Sequence, residues 1–211
     1  SIENVTYHIL PVIRNTGPAG YCAGAPLDSI LVEVAPELKG SLQPDKVWIG
    51  GNQVQCFGFE DVLLHSNVRG GYYRDPYDFD WVTDGGSAIN PEDSIQSNVG
   101  IGKYWFDVQD IIGCFFTDTI TITQPDELEV SSTIVDASCA ALDRIDGSIY
   151  IAPDGGIQGY AYNWNGPFGY SSTEQNVDPG GAGPYRLTLR DTNLCQLDTI
   201  YWIGSAELIT I

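Results

Sequence analysis

The feature that most constrains this chain is that one stretch of it is written twice. Cys56, Gly70-Gly71, Tyr77-x-Phe79-x-Trp81, Gln96, Gly102-x-Tyr104, Asp110 and Cys114 recur as Cys139, Gly155-Gly156, Tyr160-x-Tyr162-x-Trp164, Gln175, Gly183-x-Tyr185, Asp191 and Cys195. Partners stay 79 to 85 residues apart and the gaps fall where turn residues cluster, as expected of two copies of one folding unit. Gln43-Pro44-Asp45 precedes the first copy as Gln124-Pro125-Asp126 precedes the second. These tripeptides set the expected boundaries: a first repeat over 43–124, a second over 125–205, a different segment over 1–42, and the start of a following unit at 206–211. A unit of about 80 residues buries little surface, so cross-links would help it.

Inside each copy the hydrophobic period is two. Tyr77, Phe79 and Trp81 alternate with Asp78 and Asp80, and Tyr104, Phe106 and Val108 alternate with Trp105, Asp107 and Gln109. The second copy repeats this with Tyr160, Tyr162 and Trp164, then Tyr185, Leu187 and Leu189. Such alternation in aromatic and β-branched residues predicts half-buried strands. Turn formers such as Asp84-Gly85-Gly86, Asn165-Gly166-Pro167 and Pro179-Gly180-Gly181 separate them. About seven short strands per unit predict an all-β chain of tandem immunoglobulin-like antiparallel β-sandwiches. Trp81, Trp164, Tyr104 and Tyr185 lie on the apolar faces and are expected in the cores. Val5, Tyr7, Ile9 and Ile30, Val32, Val34 suggest two further strands in 1–42, too few to bury a core alone.

The cysteines fall 58 residues apart in the first copy (Cys56, Cys114) and 56 apart in the second (Cys139, Cys195). That spacing is wrong for the close cysteine pairs zinc favours. One disulfide closing each unit is the expectation, against buried free thiols, and it implies an oxidising compartment. Cys22 is left over, with a partner elsewhere or none.

With 28 acidic against 9 basic residues the net charge is −19, spread over the whole chain. Such a field repels phosphates and anionic headgroups, so neither nucleic acid nor a membrane surface is an expected partner. No run of 18 apolar residues is present, and membrane insertion is not expected. Only two histidines occur, His8 and His65, in different units and outside any nucleophile elbow or zinc-protease motif. The chain is therefore read as non-catalytic and without an obligatory cofactor.

Two sets of side chains could bind something. Asp75, Asp78, Asp80 and Asp84 gather around one strand, and hard oxygen ligands of this kind suit Ca²⁺. The second copy places Ala161 and Asn163 opposite Asp78 and Asp80, which favours a solvated strand face that discourages edge pairing. Tyr72 and Tyr73 in one copy, and Phe168 and Tyr170 in the other, lie in predicted loops where aromatic rings can stack on sugars or fold down over a sandwich end. Asp110 and Asp191, just after a strand, are read as turn caps.

The spaced pattern Cys…Gly-Gly…Tyr-x-Tyr-x-Trp…Gln…Gly-x-Tyr…Asp-x-x-x-Cys, closing in Thr117 to Pro125 and joined by Asp146-Gly147-Ser148-Ile149, resembles the SprB repeat of very large surface adhesins in gliding Bacteroidota. The resemblance covers 43–205. Val5-Thr6-Tyr7, Cys22-x-Gly24-x-Pro26 and Val32-x-Val34-x-Pro36 look like the closing strands of a PKD-like domain, a common neighbour of such repeats. The pattern is broken at Leu194, where glycine usually precedes the cysteine, at Ile203-Gly204-Ser205, and at Glu60-Asp61-Val62. The resemblance implies export by type IX secretion, display on the outer cell surface, and a part in adhesion during gliding. Its expected partners are neighbouring repeats of the same chain and extracellular polysaccharide. The chain would act mainly as a filament-forming spacer, with polysaccharide binding, or service as an accessory module of a secreted hydrolase, as the alternatives.

Overall fold

The computed structural model describes residues 35–72, 77–138 and 145–205. The chain divides into two compact units, Ser1–Val34 and Ala35–Ile211, and everything described lies in the second. Cys22, His8, Tyr73, Asp75, Cys139 and the tail 206–211 fall outside the described residues, as does most of the segment read as PKD-like.

The described residues form two all-β, immunoglobulin-like sandwiches. In the first, β1 (Leu42–Pro44), β2 (Val62–Ser66) and β4 (Ile95–Val99) make one sheet in the order β1-β2-β4. Facing it are β3 (Asp78–Asp84), β5 (Gly102–Gln109) and β6 (Phe115–Ile122) in the order β3-β5-β6. The second sandwich packs β7 (Glu129–Val135), β8 (Gly147–Asp154) and β11 (Val177–Gly180), ordered β11-β8-β7, against β10-β9-β12-β13. In that sheet β9 is Ala161–Asn165, β10 Ser171–Ser172, β12 Gly183–Arg190 and β13 Gln196–Ile203. Each of these strand pairs is antiparallel.

The period-two pattern sets which face each strand buries. Tyr104, Phe106 and Val108 of β5 point inward with Leu42, Val62, Leu64, Trp81, Val99 and Ile122 from both sheets. Their copies Tyr185, Leu187 and Leu189 meet Ile149, Ile151, Trp164, Val177 and Ile203 in a separate core. The four aromatic residues expected in the cores are all buried. Trp81 stacks on Phe106 with ring centroids 5.3 Å apart, and Trp164 tilts against Tyr201 at 5.8 Å. Neither tryptophan rests on a disulfide within its own repeat.

Polar atoms entering the cores are paired in the same way in both copies. Tyr104 donates its hydroxyl to the Gly100 carbonyl and Tyr185 to that of Gly181, each at 3.1 Å. The indole N–H of Trp81 reaches the Asp93 carbonyl and that of Trp164 the Glu174 carbonyl. Tyr77 and Tyr160 close onto Gly70 and Gly155. The Gly-Gly motif recurs for a steric reason. A Cβ at Gly70 would stand 2.0 Å from the Glu37 carbonyl oxygen, and one at Gly155 would stand 1.7 Å from that of Glu127.

These contacts correct the expected boundary. Gly71 donates to the Pro36 carbonyl as Gly156 does to that of Asp126, and Leu38 belongs to the first core as Leu128 packs on the second. The first sandwich therefore begins near Pro36, and a border at 42/43 would cut through β1. Gln43-Pro44-Asp45 lies in and just after that strand, whereas Gln124-Pro125-Asp126 connects β6 to β7. The matching tripeptides therefore do not occupy equivalent places in the two repeats.

Candidate functional site

The β1–β2 loop of the first repeat, residues 45–61, crosses to the second repeat and is joined to it by hydrogen bonds and a disulfide. Several hydrogen bonds hold the loop to its own sandwich. Val54 is fully buried and donates from its backbone to the Thr123 carbonyl, while the Gln53 side chain accepts from the Thr123 N–H. Gly58 donates to the side-chain oxygen of Gln124, and Gln55 to the carboxylate of Asp61. The loop is thus fixed to Thr123-Gln124, the residues that lead out of β6 into the next repeat.

The loop delivers Cys56 to Cys195. The two sulfurs are bonded at 2.13 Å, with Cα atoms 5.6 Å apart and 139 residues between them in sequence. Around the bond, Gln55 donates its side-chain amide to the Asn193 carbonyl at 2.8 Å, and Asn193 returns its own amide to the Ile49 carbonyl at 3.1 Å. A Cβ at Gly50 would lie 2.5 Å from Ile157, so the loop backbone rests directly on the second repeat.

The pairing expected within each repeat is therefore corrected. Cys56 and Cys195 are disulfide-bonded, but to each other, and Cys114 is a free, exposed thiol. The cause is strand length. Cys114 immediately precedes β6, whereas the Cys56 loop is hydrogen-bonded to Thr123 immediately after it. Eight residues of strand separate these points by roughly 26 Å at about 3.3 Å per residue. A disulfide requires Cα atoms within about 7 Å. The two cysteines of the first repeat sit at opposite ends of one sandwich, and the lower end of one repeat meets the upper end of the next.

The upper ends are built alike. In the β12–β13 turn, Asp191 accepts from the Cys195 N–H at 2.8 Å through one carboxylate oxygen and from the Ile157 N–H at 2.8 Å through the other. In the β5–β6 turn, Asp110 accepts from the N–H groups of Cys114 (2.8 Å) and Ile112 (3.1 Å) through one oxygen, and from Tyr72 (2.8 Å) through the other. The turn-cap reading of both aspartates holds. Partial burial pulls the Asp110 carboxyl upward, but the hydrogen bonds from Tyr72, Cys114 and Ile112 outweigh it and hold the group below its usual value. Reduced hydration and the neighbouring Asp110 carboxylate push the Cys114 thiol up. Where the first turn has Gly113 at φ +89°, the second holds Leu194 at φ 69°.

The acidic residues do not converge. Asp78 and Asp80 are exposed on the outer face of β3, with Asp107 directly across from Asp80. Asp84 is at the far end of the strand, six residues and roughly 20 Å from Asp78, opposite Lys103. Among the described residues no group of three or more His, Cys, Asp or Glu side chains is arranged to hold a metal ion. The loop aromatics part company too. Tyr170 packs edge-on against Tyr185 at 5.3 Å, a covering role, while Phe168 is 91% exposed at φ 55°. Tyr72 lies at the same upper end as Cys114.

No family model matches the chain, and no curated protein matches it. A solved structure determined as the structural basis for Dscam isoform specificity is similar at 14% identity and a TM-score of 0.33, covering 82% of this chain. The chain spans 47% of that solved chain.

Proposed function

We propose that this chain is a tension-bearing spacer, a non-catalytic repeat segment of a secreted cell-surface adhesin that holds an adhesive element away from the cell. The observation that carries the reading is the Cys56–Cys195 bond between repeats. A pull on the two ends passes through the chain to Cys56, across the disulfide, and out from Cys195. Residues 57–194, which contain most of both cores, are bypassed. A separation of 139 residues, extended at about 3.5 Å each, would otherwise yield roughly 490 Å of slack. A spacer that must transmit force benefits from this arrangement.

The reading places the protein outside the cell, where a disulfide persists. It accords with the resemblance to SprB repeats and with surface display through type IX secretion. The direct test is single-molecule extension from the two termini, in Ca²⁺ and in chelator, with and without reductant. The oxidised chain should withhold the long extension, and reductant should release it. Equal extension in both states would refute the spacer reading.

Phe168 favours a second reading, in which the repeats also hold polysaccharide. A bulky ring almost wholly in water, on a backbone conformation unfavourable to it, is a reasonable stacking platform. Binding to a polysaccharide panel that vanishes in Phe168→Ala would support it, and no saturable binding would remove it.

A further inference from the structure

We propose that the outer faces of two matching sheets are complementary docking surfaces, and that the face on the first repeat of one chain takes the face on the second repeat of another copy of this chain. The inference goes beyond the spacer reading and does not need the Cys56–Cys195 bond.

The two faces are built from the same strand positions. Outward side chains alternate with buried ones along β3, β5 and β6, and again along β9, β12 and β13. Register places Asp80 opposite Asp107 and Asp107 opposite Thr117. At the matching positions of the second repeat, Asn163 lies opposite Thr188 and Thr188 opposite Asp198. An open groove indents each face at the same place, lined by Asp78, Asp80, Asp107 and Phe115 in the first repeat and by Ala161, Asn163, Arg190 and Gln196 in the second.

What differs is the sign of the charge. The outward positions of the first face carry Asp78, Asp80, Asp84 and Asp107 against Lys103, whereas those of the second carry Arg186 and Arg190 against Asp198. A net positive face stands out on a chain of net charge −19 with only 9 basic residues. Among the described residues the only ion pair is Lys39–Glu37, so neither the arginines nor these aspartates are ion-paired there. Asp80 stands directly across from Asp107, and like charges so placed destabilise a sheet unless a cation neutralises them.

Each face offers what the other can bind. Guanidinium groups take carboxylates in bidentate pairs and lie flat on aromatic rings, and the acidic face sets Trp105 and a 76% exposed Phe115 among its aspartates. Gln196 accepts from Arg190 Nε at 2.9 Å and from one of its terminal nitrogens at 2.7 Å, so this guanidinium is oriented before any partner arrives. Apolar area accompanies the charge on both sides, through Val82 on the first face and through Ile200 and Trp202, 50% and 66% exposed, on the second. The two surfaces are different, so the contact is heterologous and can pass from copy to copy.

The test is sedimentation equilibrium of the purified 211-residue chain over a wide concentration range in salt of about 0.15 M, where repulsion between two acidic chains is screened beyond about 8 Å. The wild type is expected to self-associate reversibly. Arg186→Glu with Arg190→Glu, and separately Asp80→Arg with Asp107→Arg, should each weaken this by about tenfold or more. Mixing the two variants in equal amounts should restore it, because one then has two acidic faces and the other two positive ones. Should a charge reversal unfold either chain, Arg186→Gln with Arg190→Gln and Asp80→Asn with Asp107→Asn carry the same expectation of weakening. A wild type that stays monomeric at every concentration, with or without Ca²⁺ or polysaccharide held on these faces, would overturn the proposal. So would association that both variants leave unchanged, folded variants that stay monomeric when mixed, or a dimer that survives non-reducing denaturing electrophoresis and is therefore a disulfide.

Discussion

Gln55 donates its side-chain amide to the backbone carbonyl of Asn193 across the boundary between repeats, 2.8 Å from a residue 138 positions away in sequence. Asn193 answers through its own amide to Ile49, so the loop and the turn bind each other beside the disulfide. The junction therefore has a specific non-covalent part beside the disulfide. Asn193→Ala removes the second of these bonds, and the carbonyl of Ile49, a residue 61% exposed, turns to water instead. We expect it to cost about 0.5–1.5 kcal/mol, read as a lower melting temperature together with faster reduction of Cys56–Cys195. A variant that melts and reduces like the wild type would mean the disulfide alone makes the junction.

Leu194 occupies a left-handed conformation that costs a residue bearing a Cβ about 1–2 kcal/mol. Its side chain is 71% exposed, so little packing offsets that cost. Leu194→Gly restores what Gly113 does in the first repeat and should stabilise the chain by about 1 kcal/mol. Chemical denaturation checks this, and destabilisation would show that Leu194 makes a contact the exposed position conceals.

The Tyr104 hydroxyl both donates to the Gly100 carbonyl and accepts from the Ser87 N–H. The Tyr185 hydroxyl donates to Gly181. Tyr104→Phe should cost about 1–3 kcal/mol, and more than Tyr185→Phe, because it strands the part-buried Ser87 N–H as well as a carbonyl. Equal losses in the two variants would contradict this ranking.

Asp110 carries a depressed pKa in the folded chain, so it is a carboxylate whose stabilisation is present above its unfolded value, near 4, and is lost as pH falls through the lower folded value. Thermal melts from pH 6 down to pH 2 should show this loss in the wild type. Asp110→Asn should be less stable at pH 6 and should flatten that part of the profile. An unchanged acid limb in Asp110→Asn would assign the transition to other carboxylates.

Much of the fold was legible from the duplicated strand pattern. Trp81, Tyr104 and their copies sit where alternation placed them, since a period of two leaves one choice of face. The disulfide pairing was not legible. In a tandem repeat the spacing from Cys56 to Cys114 equals that from Cys139 to Cys195 within two residues, and the same periodicity permits bonding within a unit or to the next. Only the position of each cysteine at the top or bottom of its sandwich decides, and that depends on the length of β6. The boundary failed for a related reason: the first repeat has a longer β1–β2 loop, which shifts the offset from 90 at Leu38 and Leu128 to 85 at Gly71 and Gly156. The Gln-Pro-Asp match concealed the shift. The acidic residues looked gathered because they are close in sequence, but a strand spreads alternate residues along its length, and Asp84 is carried away from Asp78.

The central claim is that the two repeats are clamped to each other by Cys56 and Cys195. The measurement that tests it most directly is non-reducing peptide mapping by mass spectrometry of the alkylated, purified chain. The account predicts a disulfide-linked peptide pair containing Cys56 and Cys195, with Cys114 alkylated in monomeric chain. Recovery of Cys56 linked to Cys114, and Cys139 linked to Cys195, would contradict it.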